Sequence, residues 1–136
     1  MDVTAIPFNK FIGLEISDRP DYLMMLPARE RFMNHIGTVH ASALFALAEA
    51  TSGLFLLQEF EGRTDLGSVV RKVETRYRNP AGGAIYSAAA LAGGKEALSK
   101  DIEERGRGFI NVVVDLFDAD KKPVMRSEFE WFVTKI

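Results

Sequence analysis

Apolar residues are most concentrated between Val39 and Leu57, where the chain reads VHASALFALAEATSGLFLL. This segment is rich in Ala and Leu, contains no Pro and has a single Gly, so it predicts a helix over 39–57. A helix that is apolar almost all round is stable only when it is buried. Thr38 directly precedes the segment and is the predicted N-cap.

The rest of the chain predicts about six β-strands. Segments 109–117 and 124–134 alternate between apolar and polar positions, which is typical of half-buried strands. Further strands are predicted at 13–17, 22–26, 68–78 and 84–92, with short helices at 5–11 and 95–105. Turns join most of these strands, so they should pair antiparallel. One sheet wrapped around the long helix buries that helix economically, which predicts an α+β fold with a single domain over 1–136.

One charged side chain, Glu49, lies near the middle of the predicted long helix. On a helical wheel it falls in a stripe of small and polar residues, opposite a stripe of bulkier ones. The small stripe contains Ser42, Ala46, Glu49, Ser52 and Gly53, and the bulkier stripe contains Leu44, Leu47, Ala48, Thr51 and Phe55. A buried carboxylate costs free energy unless it has a partner or a chemical task. Two interpretations stay open: Glu49 pairs with a structural Arg, or the small stripe leaves room for a ligand or a second helix.

Composition excludes several classes of protein. A membrane-spanning helix is disfavoured because a Glu at the bilayer centre costs roughly 2.5 kcal/mol or more. The formal charge of −2 gives no basic surface for nucleic acid or an anionic membrane. The absence of Cys excludes disulfides, thiolate metal sites and a Cys nucleophile, and two His provide no convincing metal site. We therefore expect no metal and no cofactor. The N-terminus does not resemble a signal peptide, which favours a cytoplasmic location.

The start of the predicted helix offers a second chemical feature. The backbone N–H groups near Ala41 have no partner within the helix and can stabilise a developing oxyanion. Ala41 and Glu49 are eight residues apart, or about 12 Å along the helix axis. One helix therefore does not bring both residues to one reacting carbon. If they act together, two copies with antiparallel helices are required, which means a homodimer with its sites at the interface.

The order and spacing of Asn34, His40, Ala41 and Glu49 resemble a known pattern. The string N-x5-H-A-x7-E is similar to that of hot-dog-fold thioesterases of the phenylacetate-pathway type. Those proteins carry an Asn, then His-Gly-Gly at the helix start, then an Asp or Glu eight residues beyond the first Gly. The resemblance continues through YRNPAGG at 77–83 and reaches Trp131. Within this superfamily the chain looks closest to a branch described only as a domain of unknown function.

This resemblance implies a function and a role for each matching residue. The family hydrolyses acyl-CoA thioesters as antiparallel homodimers, often paired into homotetramers, and CoA is part of the substrate. Glu49 would be general base or nucleophile, and the Ala41 N–H would polarise the thioester carbonyl from the other subunit. Asn34 would help to position the thioester or the water, and His40 would orient the helix start. Further candidates for substrate binding are Gly37, Ser42, Ser68 and Arg78.

The chain departs from the family pattern at two places. His40-Ala41-Ser42 replaces His-Gly-Gly, which keeps the backbone N–H but narrows the approach to it. Gly53 occupies the position, one turn after the acid, where some relatives place a Thr hydroxyl. Ser52 and Ser68 are the candidate replacements for that hydroxyl.

Two other functions compete with the thioesterase interpretation. A non-catalytic hot-dog protein that binds acyl-CoA or acyl carrier protein would use the same scaffold, although a binder has no need for a costly buried acid. A β-hydroxyacyl thioester dehydratase would use His35 with Glu49, since His35 precedes Glu49 at the spacing typical of those enzymes. The chain lacks the prolines that accompany that His, so His35 is also interpreted as an ordinary loop residue.

Overall fold

The computed structural model describes residues 1–136, which form one six-stranded antiparallel sheet and a long helix packed on it. The strands are β1 (Glu15–Ile16), β2 (Met24–Leu26), β3 (Leu66–Tyr77), β4 (Ile85–Leu91), β5 (Arg107–Asp118) and β6 (Pro123–Lys135). The helices are α1 (Pro7–Ile12), α2 (Ala41–Glu59) and α3 (Glu96–Arg105), with 3-10 turns at Val3–Ala5 and Glu30–Phe32. The strand order is β1-β2-β4-β5-β6-β3. The predicted α+β class, the six strands and the central helix are confirmed.

Helix α2 lies against the inner face of the sheet and contacts β2, β4, β5 and β6. Four residues of its bulkier stripe, Leu44, Leu47, Ala48 and Thr51, are almost fully excluded from solvent, and we call them the closed face. The fifth predicted member, Phe55, is only partly buried. The sheet supplies alternating apolar residues beneath them, including Val112, Val114 and Phe129. Each fully buried side chain of this size contributes roughly 1.5–3 kcal/mol of transfer free energy.

Helix α2 is also long and apolar enough to cross a membrane by length and composition alone. Half of its most apolar window is buried inside the protein's own fold. The sheet therefore covers the face that would otherwise require an apolar solvent.

Two hydroxyls connect the closed face to the sheet. The Thr51 and Ser87 hydroxyl oxygens lie 2.6 Å apart, and both side chains are fully buried. The Ser87 hydroxyl also bonds the backbone of Met24, while the Thr51 hydroxyl approaches the Leu47 carbonyl at 2.8 Å. Every buried polar side-chain atom in the chain has a partner, as a stable core requires.

The long outer edge of the sheet is strand β3. It pairs with β6 on one side over its whole length, with an irregularity between Val70 and Lys72, and has no strand on its other side. Val69 and Tyr77 are exposed large apolar side chains on this strand. A strand edge of this kind carries unpaired N–H and C=O groups that are competent to pair with another strand.

Candidate functional site

Glu49 lies on the side of α2 that the sheet covers less completely, although Phe45 on this side still packs against Phe129 of β6. We call this side, formed by Ser42, Phe45, Glu49 and Gly53, the open face; its residues are exposed or partly exposed. The Glu49 carboxyl has neither an ion-pair partner nor a hydrogen bond within the chain. Partial burial without compensation raises the pKa of the Glu49 carboxyl above its ordinary value. The structural Arg partner considered for Glu49 is therefore absent from this chain.

His40, rather than the predicted Thr38, is the N-cap of α2, and the helix begins at Ala41. The His40 Nδ1 atom accepts a hydrogen bond from the Ser42 N–H at 2.9 Å. The next two N–H groups, of Ala43 and Leu44, donate to the His40 carbonyl. The Ala41 N–H makes no hydrogen bond within the chain. His40 thus fixes the helix start and leaves the Ala41 N–H at the positive end of the helix as a free donor.

Asn34 organises the loop that leads into this helix start. Its side-chain oxygen Oδ1 accepts from the N–H groups of Ile36 and Thr38. Its side-chain nitrogen Nδ2 donates to the Thr38 hydroxyl at 2.8 Å. The Thr38 hydroxyl is therefore bonded to Asn34 within the loop, and it does not cap the helix. Gly37, in the same loop, has a φ of +79°, which only Gly adopts readily. Asn34 therefore shapes the loop itself, and one amide hydrogen remains for another partner.

Two cavities meet at the start of α2. The first, about 300 Å³, is lined by Asn34, Ile36, Thr38, Val39, Ala41, Leu44, Tyr77, Arg78, Asn79, Pro80 and Ala81; we call it the entry groove. The second, about 430 Å³, is lined by Phe8, Ala41, Ser42, Phe45, Ala46, Glu49 and Tyr77; we call it the Glu49 cavity. Only Ala41 and Tyr77 belong to both linings. Ala41, whose backbone N–H is free, therefore lines both cavities.

Tyr77 is a site residue that sequence reasoning did not single out. It ends strand β3, and its hydroxyl donates to the Ala41 carbonyl at 3.2 Å, while its ring walls both cavities. Burial raises the pKa of the Tyr77 phenol above its ordinary value. In the sequence, Tyr77 is marked only as the first residue of the YRNPAGG motif. The fold shows that the end of β3 contacts the start of α2.

The other predicted substrate-binding residues are distributed unevenly. Ser42 lines the Glu49 cavity, and Arg78 lines the entry groove with no ion-pair partner in the chain. Gly37 lies in the exposed loop beside the groove but does not line it. Ser68 lies near the other end of β3, opposite Val133, and lines neither cavity of this protomer.

Ser52, one of the two candidate replacements for a missing hydroxyl, has a different task. Its hydroxyl donates to the Glu49 backbone carbonyl at 2.7 Å and accepts from the Trp131 indole N–H at 3.2 Å. Ser52 is fully buried, and Gly53 beside it lies against the Trp131 ring. Ser52 thus fixes Trp131 to α2 and presents no free hydroxyl to the Glu49 carboxyl.

His35 is exposed in the loop before α2 and lines neither the entry groove nor the Glu49 cavity. Within one protomer, His35 and Glu49 line no common cavity, so acid–base chemistry at adjacent carbons would need a second copy to bring them together. No group of three or more His, Asp or Glu side chains in the chain has the arrangement of a metal site.

Known proteins with this architecture were found by sequence and by structure. A family model described as a domain of unknown function, DUF4442, matches residues 4–133. A crystal structure of a Pseudomonas aeruginosa protein of unknown function, described as a probable thioesterase, is 28% identical, with a TM-score of 0.82 over 98% of this chain and 91% of that one. No curated protein matches the sequence.

Two more distant structures show the same fold. A thioesterase from Haemophilus influenzae is 18% identical, with a TM-score of 0.75 over 98% of this chain and 86% of that one. A Bacillus halodurans protein crystallised with CoA is 17% identical, with a TM-score of 0.66 over 81% of this chain and 69% of that one.

Proposed function

Because the chain belongs to the family described as a domain of unknown function, DUF4442, and has the hot-dog fold of thioesterases, we propose that it hydrolyses acyl-CoA thioesters. The observation that carries this proposal is the unpaired carboxyl of Glu49. It is partly buried, it lacks any compensating partner in the chain, and it lines a largely apolar cavity to which Ala41 also contributes. An unpaired, partly buried carboxyl does not stabilise a core, but it can serve as a general base or a nucleophile.

The proposed chemistry follows from the environment of Glu49. A raised pKa makes the ionised carboxylate a stronger base than an ordinary Glu. As general base, Glu49 takes a proton from water while the water oxygen attacks the thioester carbonyl carbon. The carbonyl oxygen gains negative charge, which the Ala41 N–H stabilises by donating a hydrogen bond. The C–S bond then breaks, and the leaving thiolate takes the proton that Glu49 accepted from water. As nucleophile, Glu49 would instead attack the carbonyl carbon directly, and the C–S bond would break to release the thiolate and leave an anhydride. Water would then hydrolyse the anhydride, regenerating Glu49, and its released proton would go to the thiolate.

The geometry supports a site shared by two copies of the chain. Ala41 and Glu49 lie on one helix about 12 Å apart along its axis, beyond the reach of a single carbonyl group. An antiparallel second copy would bring its Glu49 to the Ala41 N–H of the first copy. Both the open face of α2 and the free edge of β3 are available for this contact. We therefore propose a homodimer; whether dimers pair again into tetramers can be read from the mass in solution.

The entry groove is the proposed position of the CoA moiety. It leads to Ala41 from the side of Asn34 and Arg78, and Arg78 offers an uncommitted guanidinium to a phosphate. The Bacillus halodurans structure with CoA supports a ligand of this type on the same fold. The reaction consumes only water, so the proposal requires no cofactor, and the cytoplasm remains the proposed location.

A non-catalytic acyl-CoA binder is the second candidate function. The Ala41 and Ser42 side chains narrow the approach to the helix start, and the Ser52 hydroxyl bonds the Glu49 backbone and Trp131 and not the Glu49 carboxyl. Both features reduce the machinery available for hydrolysis without removing either cavity. Binding without turnover would therefore identify a binder.

The test is thiol release from short, medium, long-chain and aryl acyl-CoAs by the wild type and by Glu49→Gln. We expect the variant to lose about a hundredfold in kcat, which corresponds to roughly 2.7 kcal/mol. His35→Ala is the matched control, because His35 lies outside both cavities, and it should retain wild-type activity.

Other outcomes reject this proposal in different ways. A wild type that releases no thiol but binds acyl-CoA is a binder. Loss of activity in His35→Ala, together with dehydration of a β-hydroxyacyl-CoA, would restore the dehydratase interpretation. An inactive Glu49→Gln that also fails to fold would make Glu49 a structural residue, so unfolding curves accompany the assay.

A further inference from the structure

Phe8 is the one wall residue of the Glu49 cavity that comes from outside α2 and β3. It lies on α1, a short helix near the N-terminus that packs against α2. Phe8 is 60% exposed in the single protomer. The position of this ring therefore contributes to the size of the space next to Glu49.

Several contacts attach helix α1, which carries Phe8, to the body of the fold. The Asn9 side chain is buried and donates from Nδ2 to the Val3 carbonyl at 2.9 Å, and Val3 itself belongs to the hydrophobic core. Gly13, with a φ of +89°, ends the helix by donating its N–H to the Asn9 carbonyl. Ile12 packs against the core from the same helix. Both ends of α1 are thus attached to the body of the fold.

The neighbouring Phe11 provides an internal comparison. It lies one turn further along α1 and is 81% exposed, and it does not line the Glu49 cavity. The two rings have the same chemistry, the same helix and almost the same position in the sequence. They differ in whether they border the space beside the carboxyl.

The chemistry of the Glu49 cavity restricts what it can hold. Its walls are mainly apolar, with three aromatic rings, from Phe8, Phe45 and Tyr77, and they include no Lys, Arg or His. An acyl group that carries its own carboxylate would find no cation on the walls that this protomer supplies, and it would be repelled by Glu49. An uncharged apolar acyl group would be desolvated favourably.

We propose that Phe8 is a specificity-determining residue, which limits the length of an uncharged, apolar acyl group in the Glu49 cavity. This inference rests on the proposed function and names the substrate class of the same site. Shortening the side chain would extend the cavity at the α1 wall, and longer acyl groups would then be accepted more readily. Acyl groups ending in a carboxylate would remain poor substrates in the wild type and in the variant.

The experiment compares Phe8→Ala with Phe11→Ala on hexanoyl-CoA, decanoyl-CoA and succinyl-CoA. We expect Phe8→Ala to raise the ratio of kcat/KM for decanoyl-CoA over hexanoyl-CoA about tenfold, a discrimination typical of methylene-sized changes in an apolar pocket. Phe11→Ala should leave this ratio within about twofold of the wild type, and succinyl-CoA should be at least about tenfold poorer than hexanoyl-CoA in all three proteins. Phe8→Leu repeats the comparison with a smaller change in case Phe8→Ala is unstable.

Calorimetric binding of the same three compounds separates this inference from the proposed function. If no thioester is hydrolysed but Phe8→Ala shifts the ratio of affinities toward decanoyl-CoA, the hydrolase proposal fails and the role of Phe8 stands. If hydrolysis occurs but both Phe variants leave the ratio unchanged, or change it equally, the role of Phe8 is rejected. Efficient hydrolysis of succinyl-CoA by the wild type would reject the substrate class.

Discussion

Thr51 and Glu49 are two polar residues on opposite sides of α2, and they differ in burial and in hydrogen bonding. Thr51 is completely buried, with its hydroxyl 2.6 Å from the Ser87 hydroxyl and 2.8 Å from the Leu47 carbonyl. Glu49 is only partly buried, yet its carboxyl bonds to nothing in the chain. On the closed face the polar side chain has hydrogen-bond partners within one protomer, whereas on the open face the Glu49 carboxyl has none. This difference assigns stability to the first face and the proposed chemistry to the second.

The largest effect on stability is expected at Leu47, at the centre of the closed face. Leu47 is 0% exposed, so Leu47→Ala should leave a cavity and lower the free energy of unfolding by about 3 kcal/mol. Leu57→Ala, on the same helix but 40% exposed, is the matched control and should cost less than about 1 kcal/mol. Urea unfolding of both variants measures the difference. Equal losses would mean that the two faces of α2 do not differ in the way described here.

A smaller loss is expected at Thr51. Thr51→Val keeps the shape of the side chain but removes the hydroxyl between α2 and β4, so the free energy of unfolding should fall by about 1 kcal/mol. The kcat on the best acyl-CoA should stay unchanged, the reverse of the result expected for Glu49→Gln. If Thr51→Val lowers kcat as strongly as Glu49→Gln does, the division between the two faces is wrong.

The smallest effect concerns the pH dependence of stability. Burial raises the pKa of Glu49 in the folded chain, so the folded state holds its proton more tightly than the unfolded state does. The stability contributed by protonated Glu49 is complete below the unfolded pKa of about 4.3 and is lost as the pH rises through the higher folded pKa. Glu49→Gln should therefore be more stable than the wild type near pH 7, with a difference that shrinks toward pH 4.

Denaturant unfolding of the two proteins across this pH range measures that difference. A wild type that gains stability relative to Glu49→Gln as the pH rises would reveal a cationic partner for the carboxylate, contrary to the structure of the single chain. The same raised pKa predicts that hydrolysis weakens as the pH falls through it, since the base must be ionised to act.

Sequence reasoning identified the architecture because the relevant signals are local. The alternation in 109–117 and 124–134 reports directly which side of each strand is buried, and Ile110, Phe129 and Val133 are buried as predicted. The long helix was placed within two residues at each end. These features depend on neighbouring residues along the chain, so periodicity was sufficient.

Side-chain contacts that leave no periodic pattern were harder to predict. Hydroxyl residues are the usual caps, which favours Thr38, but the Thr38 hydroxyl bonds Asn34 and His40 caps the helix. Ser52 is a candidate replacement for the missing hydroxyl, yet its hydroxyl bonds Trp131 on strand β6. Phe8 and Tyr77 were missed as cavity walls for the same reason, since neither carries a local signal of its position beside α2. The residues closest to Glu49 in the sequence were found, while those brought there by folding were not.

The free edge of β3 can pair with other chains while the protein is still a monomer. A twelve-residue strand with one unpaired side can template the addition of almost any extended chain, which is how ordered aggregates begin. Charged side chains interrupt this strand at Arg71, Lys72, Glu74 and Arg76, and the irregularity after Val70 disturbs its flatness. Two copies that close around a two-fold axis use up both edges, whereas copies that add in one direction always leave a new edge exposed. These charges therefore oppose the addition of further strands, and none of them lines the Glu49 cavity.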